Sequence, residues 1–217
     1  MSVTAPHLAR RRRRSAALVR EEILRAAAAT FARRGFHGTT MQDIAAAAGY
    51  TPPTLYSYFR NKAAIFDAIL QLTAETSCAS LEEPLPGDLT FRQRVELFLR
   101  RHLAAVEANR DAFALFFAGR TAELAQARRA RNGRFGYDDY IERLSEWIRR
   151  SARRGDLRHD PRDLAHALVG LLYAFVRRSL QPGFRGSLSD QAPLLAEIFL
   201  GGALRPPDVL RPPTTHD

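Results

Sequence analysis

The sequence predicts an all-α protein in which short helices are followed by longer ones, and three observations carry that expectation. Ala, Leu and Arg, all strong helix formers, dominate the 217 residues. Apolar side chains recur at three- and four-residue intervals, and no alternating β-branched pattern marks a strand. Gly and Pro fall between these periodic segments and cut the chain into helix-sized pieces.

Over residues 15–34, Ile23, Leu24, Ala27, Ala28 and Phe31 make one stripe. Arg33 and Arg34 place cations against the negative end of that helix, and Gly35 is free to take a left-handed cap. After Phe36, His37 and Gly38, the run Thr40-Met41-Gln42-Asp43 matches a capping box and starts a second helix. Ile44, Ala45 and Ala48 carry its buried face, and Gly49 stops it. Thr51 caps a third helix that runs to about Tyr58, because Pro52 and Pro53 are tolerated only where the amide lacks a helical partner. Asn61 caps a fourth helix carrying Ile65, Phe66, Ile69, Leu70 and Leu72, which fades after Thr73. The segment 82–88, with two prolines and a glycine, is a loop. Further helices are expected over 90–107, 110–119, 138–154, 161–180 and 190–204, with an Arg-rich loop at 127–136.

Charge divides the chain unevenly. Of 33 Lys+Arg and 23 Asp+Glu, residues 1–62 hold 11 basic and 3 acidic side chains, so +8 of the +10 net charge lies in that stretch. One end therefore faces a polyanion while the rest is near neutral. The 46% apolar content suffices for real cores and excludes a wholly disordered basic protein. One cysteine excludes a disulfide framework, and no apolar run reaches the roughly 18 residues of a membrane span. No apolar stretch follows the N-terminal charges, so a secretory signal is not expected and the default compartment is the cytoplasm.

Three short helices with a tight turn between the second and third have the dimensions of a helix-turn-helix, whose later helix lies in the major groove. The residues Thr39-Thr40-Met41-Gln42-Asp43-Ile44-Ala45, then Gly49, Thr54-Leu55-Tyr56-Ser57-Tyr58-Phe59 and Asn61-Lys62, resemble the signature of the tetracycline-repressor (TetR) family of transcriptional regulators. The likeness is specific over about residues 17–66 and architectural beyond. Pro53 and Ala63 depart from it, standing where a small and an acidic residue are common. The chain then divides into a basic disordered arm (1–14), a helix-turn-helix domain (15–61), a helical ligand-binding and dimerisation domain (62–204) and a Pro-rich tail (205–217).

DNA contacts are expected from Thr39, Thr40, Gln42, Thr51, Thr54, Tyr56, Ser57, Tyr58 and Lys62. Thr40 places a hydroxyl or amide on phosphate at a helix N-terminus, and Gln42 presents an amide fork to a base edge. Thr51 and Thr54 open the recognition helix, Tyr56 and Ser57 follow along its exposed side, and Tyr58 and Lys62 suit phosphates. Leu55 and Phe59, four apart, hold the helix against Phe31 and Ile44. The run Arg10 to Arg14 is by default a solvated arm able to follow DNA.

The family resemblance implies a dimer that binds a small effector. Leu164, Leu168, Leu171, Leu172 and Phe175, with Leu195, Ile198 and Phe199, make two helices more apolar than a monomer's surface needs, and these are the expected dimer interface. Phe98, His102, Phe113, Phe116, Phe117, Tyr137, Tyr140, Trp147 and Tyr173 supply aromatic surface with a few polar handles for an apolar or aromatic effector, although most aromatic side chains are ordinary core. His102 and His166 have no partner at metal-ligand spacing, so neither a metal nor another cofactor is expected. No phosphate loop, nucleophile elbow or paired Cys and His points to an enzyme. The function expected is a ligand-responsive regulator, a repressor that binds a palindromic operator in double-stranded DNA as a homodimer and is released by a small molecule. The alternatives are a transcriptional activator and a sequence-indifferent nucleoid-type coater.

Overall fold

The computed structural model describes residues 5–118, 137–153 and 155–204, with the side chains of 5–14 and 116–118 left aside. The stretch 127–136 and the tail 205–217 lie outside the described residues. Nine α-helices occur among those residues: α1 (Ala5–Arg34), α2 (Met41–Ala48), α3 (Pro52–Tyr58), α4 (Lys62–Glu82), α5 (Phe91–Ala108), α6 (Arg110–Ala118), α7 (Tyr137–Ser151), α8 (Pro161–Ser179) and α9 (Ala192–Ala203). A 3-10 turn, Ser189–Gln191, precedes α9, and the only extended pairing among the described residues is an isolated bridge between Leu157 and Leu204.

Most helix ends fall within three residues of the sequence expectation because caps set them. Two ends differ. Helix α1 starts at Ala5 rather than Ser15, so the backbone of the arginine run, expected in a disordered arm, is helical. Ala and Arg both favour that state. Helix α4 continues to Glu82 through the stretch where fading was expected. Thr73 there donates its hydroxyl to the Leu70 carbonyl and Ser80 donates to Thr76, so these polar groups bond back to their own helix instead of ending it.

The described residues pack as two compact units, one comprising 5–75 and 109–118, the other 76–108 and 137–204. The first has a core drawn from Ile23, Leu24, Ala27 and Phe31 of α1, Ile44 and Ala45 of α2, Leu55, Phe59, and Ile65, Phe66 and Ile69 of α4. Ala112 and Leu115 of α6 join the same core. Phe31, Phe36 and Phe66 close it as a triangle of rings with centroids 5.6, 5.7 and 5.3 Å apart. Two of the three pairs are edge-on, the arrangement that ring quadrupoles favour.

In the second unit α5 packs on α9, α7 on α8, and α8 on α9. Its core includes Val95, Phe98, Leu99 and Leu103 of α5, Ile141, Leu144, Trp147 and Ile148 of α7, Leu168 and Leu172 of α8, and Leu195 and Phe199 of α9. Polar ties set the connections between these helices. Asp160 caps α8 by accepting from the Arg162 amide at 2.8 Å. Glu107, near the end of α5, accepts from the Ser187 hydroxyl at 2.6 Å and the Leu188 amide at 3.1 Å, holding the loop before α9.

Candidate nucleic-acid interface

Helix α2 begins on a reciprocal cap. The Asp43 amide donates to the Thr40 hydroxyl oxygen at 3.1 Å, while Asp43 Oδ2 accepts from the Thr40 amide at 2.9 Å and the Thr40 hydroxyl at 2.7 Å. The other carboxylate oxygen accepts from Arg34 at 2.6 Å, so one side chain joins the end of α1 to the start of α2. The Thr40 hydroxyl and amide, helped by Arg34, hold the Asp43 carboxyl below its ordinary pKa.

The turn into α3 needs two features. Gly49 has φ +74°, a left-handed position a glycine takes without strain. Tyr50 follows with its phenol donating to Glu22 of α1, and that bond is the main reason its pKa is raised. At the turn before α2, Gly38 has a different job. A Cβ there would stand 2.5 Å from the Arg34 carbonyl oxygen, so the backbone approach excludes any larger residue.

Thr51 caps α3, accepting from the Thr54 amide at 3.4 Å, with the two hydroxyls 2.9 Å apart. Ser57 donates to the Thr54 carbonyl at 2.6 Å. Leu55 and Phe59 are buried on one side of the helix, as their spacing predicts. The other side is left open: Tyr56 is 54% exposed, Thr51 and Ser57 are exposed, and Thr54 and Tyr58 are half-buried. On α2, Thr40 and Gln42 are exposed as well. The packing of α2 on α3 therefore joins two short helices that bury apolar residues on one side and present hydroxyl, amide and phenol groups on the other.

Two of the expected contact residues are committed elsewhere. Thr39 is fully buried, and its hydroxyl donates to the Gly35 carbonyl at 2.8 Å, closing the turn after α1. The Lys62 ammonium donates to the carbonyls of Phe36 and Thr39, both at 2.9 Å, and of His37 at 3.4 Å, and lies 4.8 Å from the Phe36 ring centre. Carbonyls left without helical partners at that turn attract the cation, which makes Lys62 a brace for the α1–α2 turn. Its lone occurrence as a lysine among arginines was the one available signal. Beyond it, the exposed Arg60 is a cation that spacing did not single out.

The expected effector residues divide. Phe98, His102, Tyr140 and Trp147 come together in the second unit, with ring centroids 4.9 Å apart for Phe98–Trp147, 5.6 Å for Phe98–His102 and 6.5 Å for His102–Tyr140. Phe113 is buried on α6 in the first unit, Tyr173 is exposed, and the side chains of Phe116 and Phe117 lie outside the described residues. Tyr137 is also exposed and shares a 3.0 Å hydrogen bond with His166. Burial pushes the His102 imidazole down to about 4 and the Tyr140 phenol up, the latter with a smaller contribution from Cys78.

Burial divides the expected dimer residues. Leu164, Leu168, Leu172, Leu195 and Phe199 are buried within the unit, and Leu171 and Phe175 are only partly exposed. The strongest apolar stripe packs the chain's own core, because α8 must bury a face against both α7 and α9. What remains outward is Ile198 at 47% and Leu194 at 46% exposure, with Ala167, Gly170, Ala174 and Gly201 on the same helices. No group of three potential metal-binding side chains occurs among the described residues, and none of their helices is long and apolar enough to cross a membrane.

Residues 23–69 match the family described as "Bacterial regulatory proteins, tetR family". The HTH-type transcriptional repressor KstR2 of Rhodococcus jostii is 33% identical over 89 residues, 41% of this chain and 44% of that protein. The HTH-type transcriptional activator FasR of Mycolicibacterium smegmatis is 29% identical over 87 residues, 40% of each chain. The chain thus spans less than half the length of these curated relatives. Among solved structures, the fatty acid degradation regulator FadR from Bacillus halodurans superposes with a TM-score of 0.70 at 18% identity, over 84% of this chain and 95% of that one, and so shares its all-α fold.

Proposed function

We propose that this chain, whose N-terminal domain is that of the TetR-family regulators, is a ligand-responsive transcriptional repressor that binds a palindromic operator as a homodimer. One observation carries the reading: α2 and α3 bury Ile44, Leu55 and Phe59 beneath an open face of Thr40, Gln42, Thr51, Tyr56 and Ser57. These are side chains that read base edges and seat on phosphates, held on a rigid support. The matches with a repressor and an activator support a regulator rather than an enzyme. The cytoplasm is the compartment where such a DNA target lies.

Dimerisation is supported by the exposed apolar side chains Leu194 and Ile198 of α9, together with the exposed small residues Gly201 of α9 and Ala167, Gly170 and Ala174 of α8, which would let a second copy approach closely. A dimer matters because two recognition helices about 34–36 Å apart read successive major grooves. A small effector that binds better to a dimer with the wrong helix separation then weakens DNA binding by linkage.

The test is a footprint over the chain's own upstream DNA, followed by Tyr56→Ala. A single protected palindrome is expected, with the variant losing about 1–3 kcal/mol on that site and much less on random duplex. Uniform protection of any duplex would instead identify a nucleoid-type coater.

A further inference from the structure

Two buried polar atoms in the second unit meet no hydrogen-bonding partner: His102 Nδ1 on α5 and Tyr140 Oη on α7. They belong to one cluster, since the two rings lie nearly parallel with centroids 6.5 Å apart. Phe98 packs at a tilt against both His102 and Trp147, with ring centroids 5.6 and 4.9 Å away, so the surroundings are aromatic. An unsatisfied buried polar atom is costly, and two facing rings that carry such atoms indicate that something else completes their bonding.

We propose that His102 and Tyr140 are the polar handles of the effector site, and that the effector is an uncharged, mainly apolar molecule presenting one hydroxyl or carbonyl oxygen between them. This rests on the ligand-responsive reading and narrows its ligand class. The phenol donates to that oxygen. The imidazole nitrogen accepts from a hydroxyl in one tautomer and donates to a carbonyl in the other. Burial keeps both groups neutral at pH 7, so neither compensates an ionised carboxylate. Arg143, one turn further along α7, already bonds Asp139 and Glu82 at 3.0 and 2.8 Å. An apolar molecule with one neutral oxygen satisfies both orphaned atoms while bringing no uncompensated charge into the cluster.

Trp147 is the chain's one tryptophan and packs 4.9 Å from Phe98, so its fluorescence reports on this cluster. The full-length protein is titrated with 1-decanol, 2-decanone and decanoate at pH 7.5. The alcohol, the ketone or both should give a saturable change, with decanoate weaker by about tenfold or more. Tyr140→Phe and His102→Phe should each weaken the neutral probes by about fivefold to tenfold. The free Tyr140→Phe protein should melt no lower than the parent, since it loses an unsatisfied hydroxyl and little packing. Reduced affinity at undiminished stability separates ligand contact from a structural role. Decanoate binding as tightly as the neutral probes, no saturable response to any of them, or variants with unchanged affinity would overturn the inference. Footprinting the same ligand-free preparations keeps the two readings apart: a protected operator leaves the regulator standing when the ligand class fails, and its loss in the parent sinks the regulator instead.

Discussion

In the helix-turn-helix head, Thr40, Asp43, Arg34, Tyr50, Glu22 and Lys62 bond to one another or to backbone carbonyls. In the helical body, His102 and Tyr140 bury polar atoms without partners, and α8 and α9 turn Leu194 and Ile198 outward. The contrast separates two kinds of work. A surface that must present a fixed row of side chains gains from satisfying every polar group around it, since each bond removes an alternative geometry. A region whose bonding is incomplete has interactions left for molecules absent from the chain itself.

The largest expected effect tests whether the head stands on its core. Phe31→Ala should cost about 3–5 kcal/mol, because the fully buried ring is one corner of the Phe31–Phe36–Phe66 triangle. Chemical denaturation should show that loss and anisotropy a loss of DNA binding, while sedimentation still finds a dimer. Loss of the dimer as well would erase the division of labour.

Next comes Ile198→Glu, which attacks the body's outward face. On the proposed interface, a trapped charge without a partner costs about 3–5 kcal/mol, so sedimentation should find monomers with unchanged helical circular dichroism. A dimer that survives would move the interface to another face.

Lys62→Met sharpens the picture of the head. Removing a half-exposed cation from two short carbonyl bonds should lower stability by about 1.5 kcal/mol, the low end for charged hydrogen bonds. A principal role on phosphate would leave stability unchanged and reduce the salt dependence of DNA binding instead.

The smallest effect concerns Asp43, whose carboxyl titrates lower in the folded chain than in the unfolded one. Its stabilising contribution is present above the ordinary carboxylate pKa and is lost as pH falls through the depressed value. Asp43→Asn should therefore flatten the acid limb of the stability profile below about pH 4. An unchanged limb would remove Asp43 as the link between α1 and α2.

Local chemistry was legible wherever a few consecutive residues decide the outcome. Thr40 with Asp43, Gly49, and Thr51 before two prolines place helix ends, because capping uses atoms within three or four residues of each other. The same locality marked Leu55 and Phe59 as anchors beneath Tyr56 and Ser57. Lys62 escaped it, because its partners are the carbonyls of a turn 23 to 26 residues earlier and no spacing rule connects an ammonium to such a turn. Thr39 bonds the Gly35 carbonyl only four residues back, but its full burial is set by packing rather than by spacing.

By itself, the sequence determined the all-α class, the helix-turn-helix with its caps, and the concentration of positive charge in residues 1–62. All three follow from propensity, short-range hydrogen bonding and composition. Tertiary structure decided which apolar residues of α8 and α9 are core and which remain outward, since an apolar periodicity does not say whether the chain itself or a second copy covers it. It also decided that His102 and Tyr140, 38 positions apart in sequence, share one aromatic cluster without completing each other's bonds. Pairing across two helices depends on how α5 and α7 pack, a long-range outcome that neither helix encodes alone.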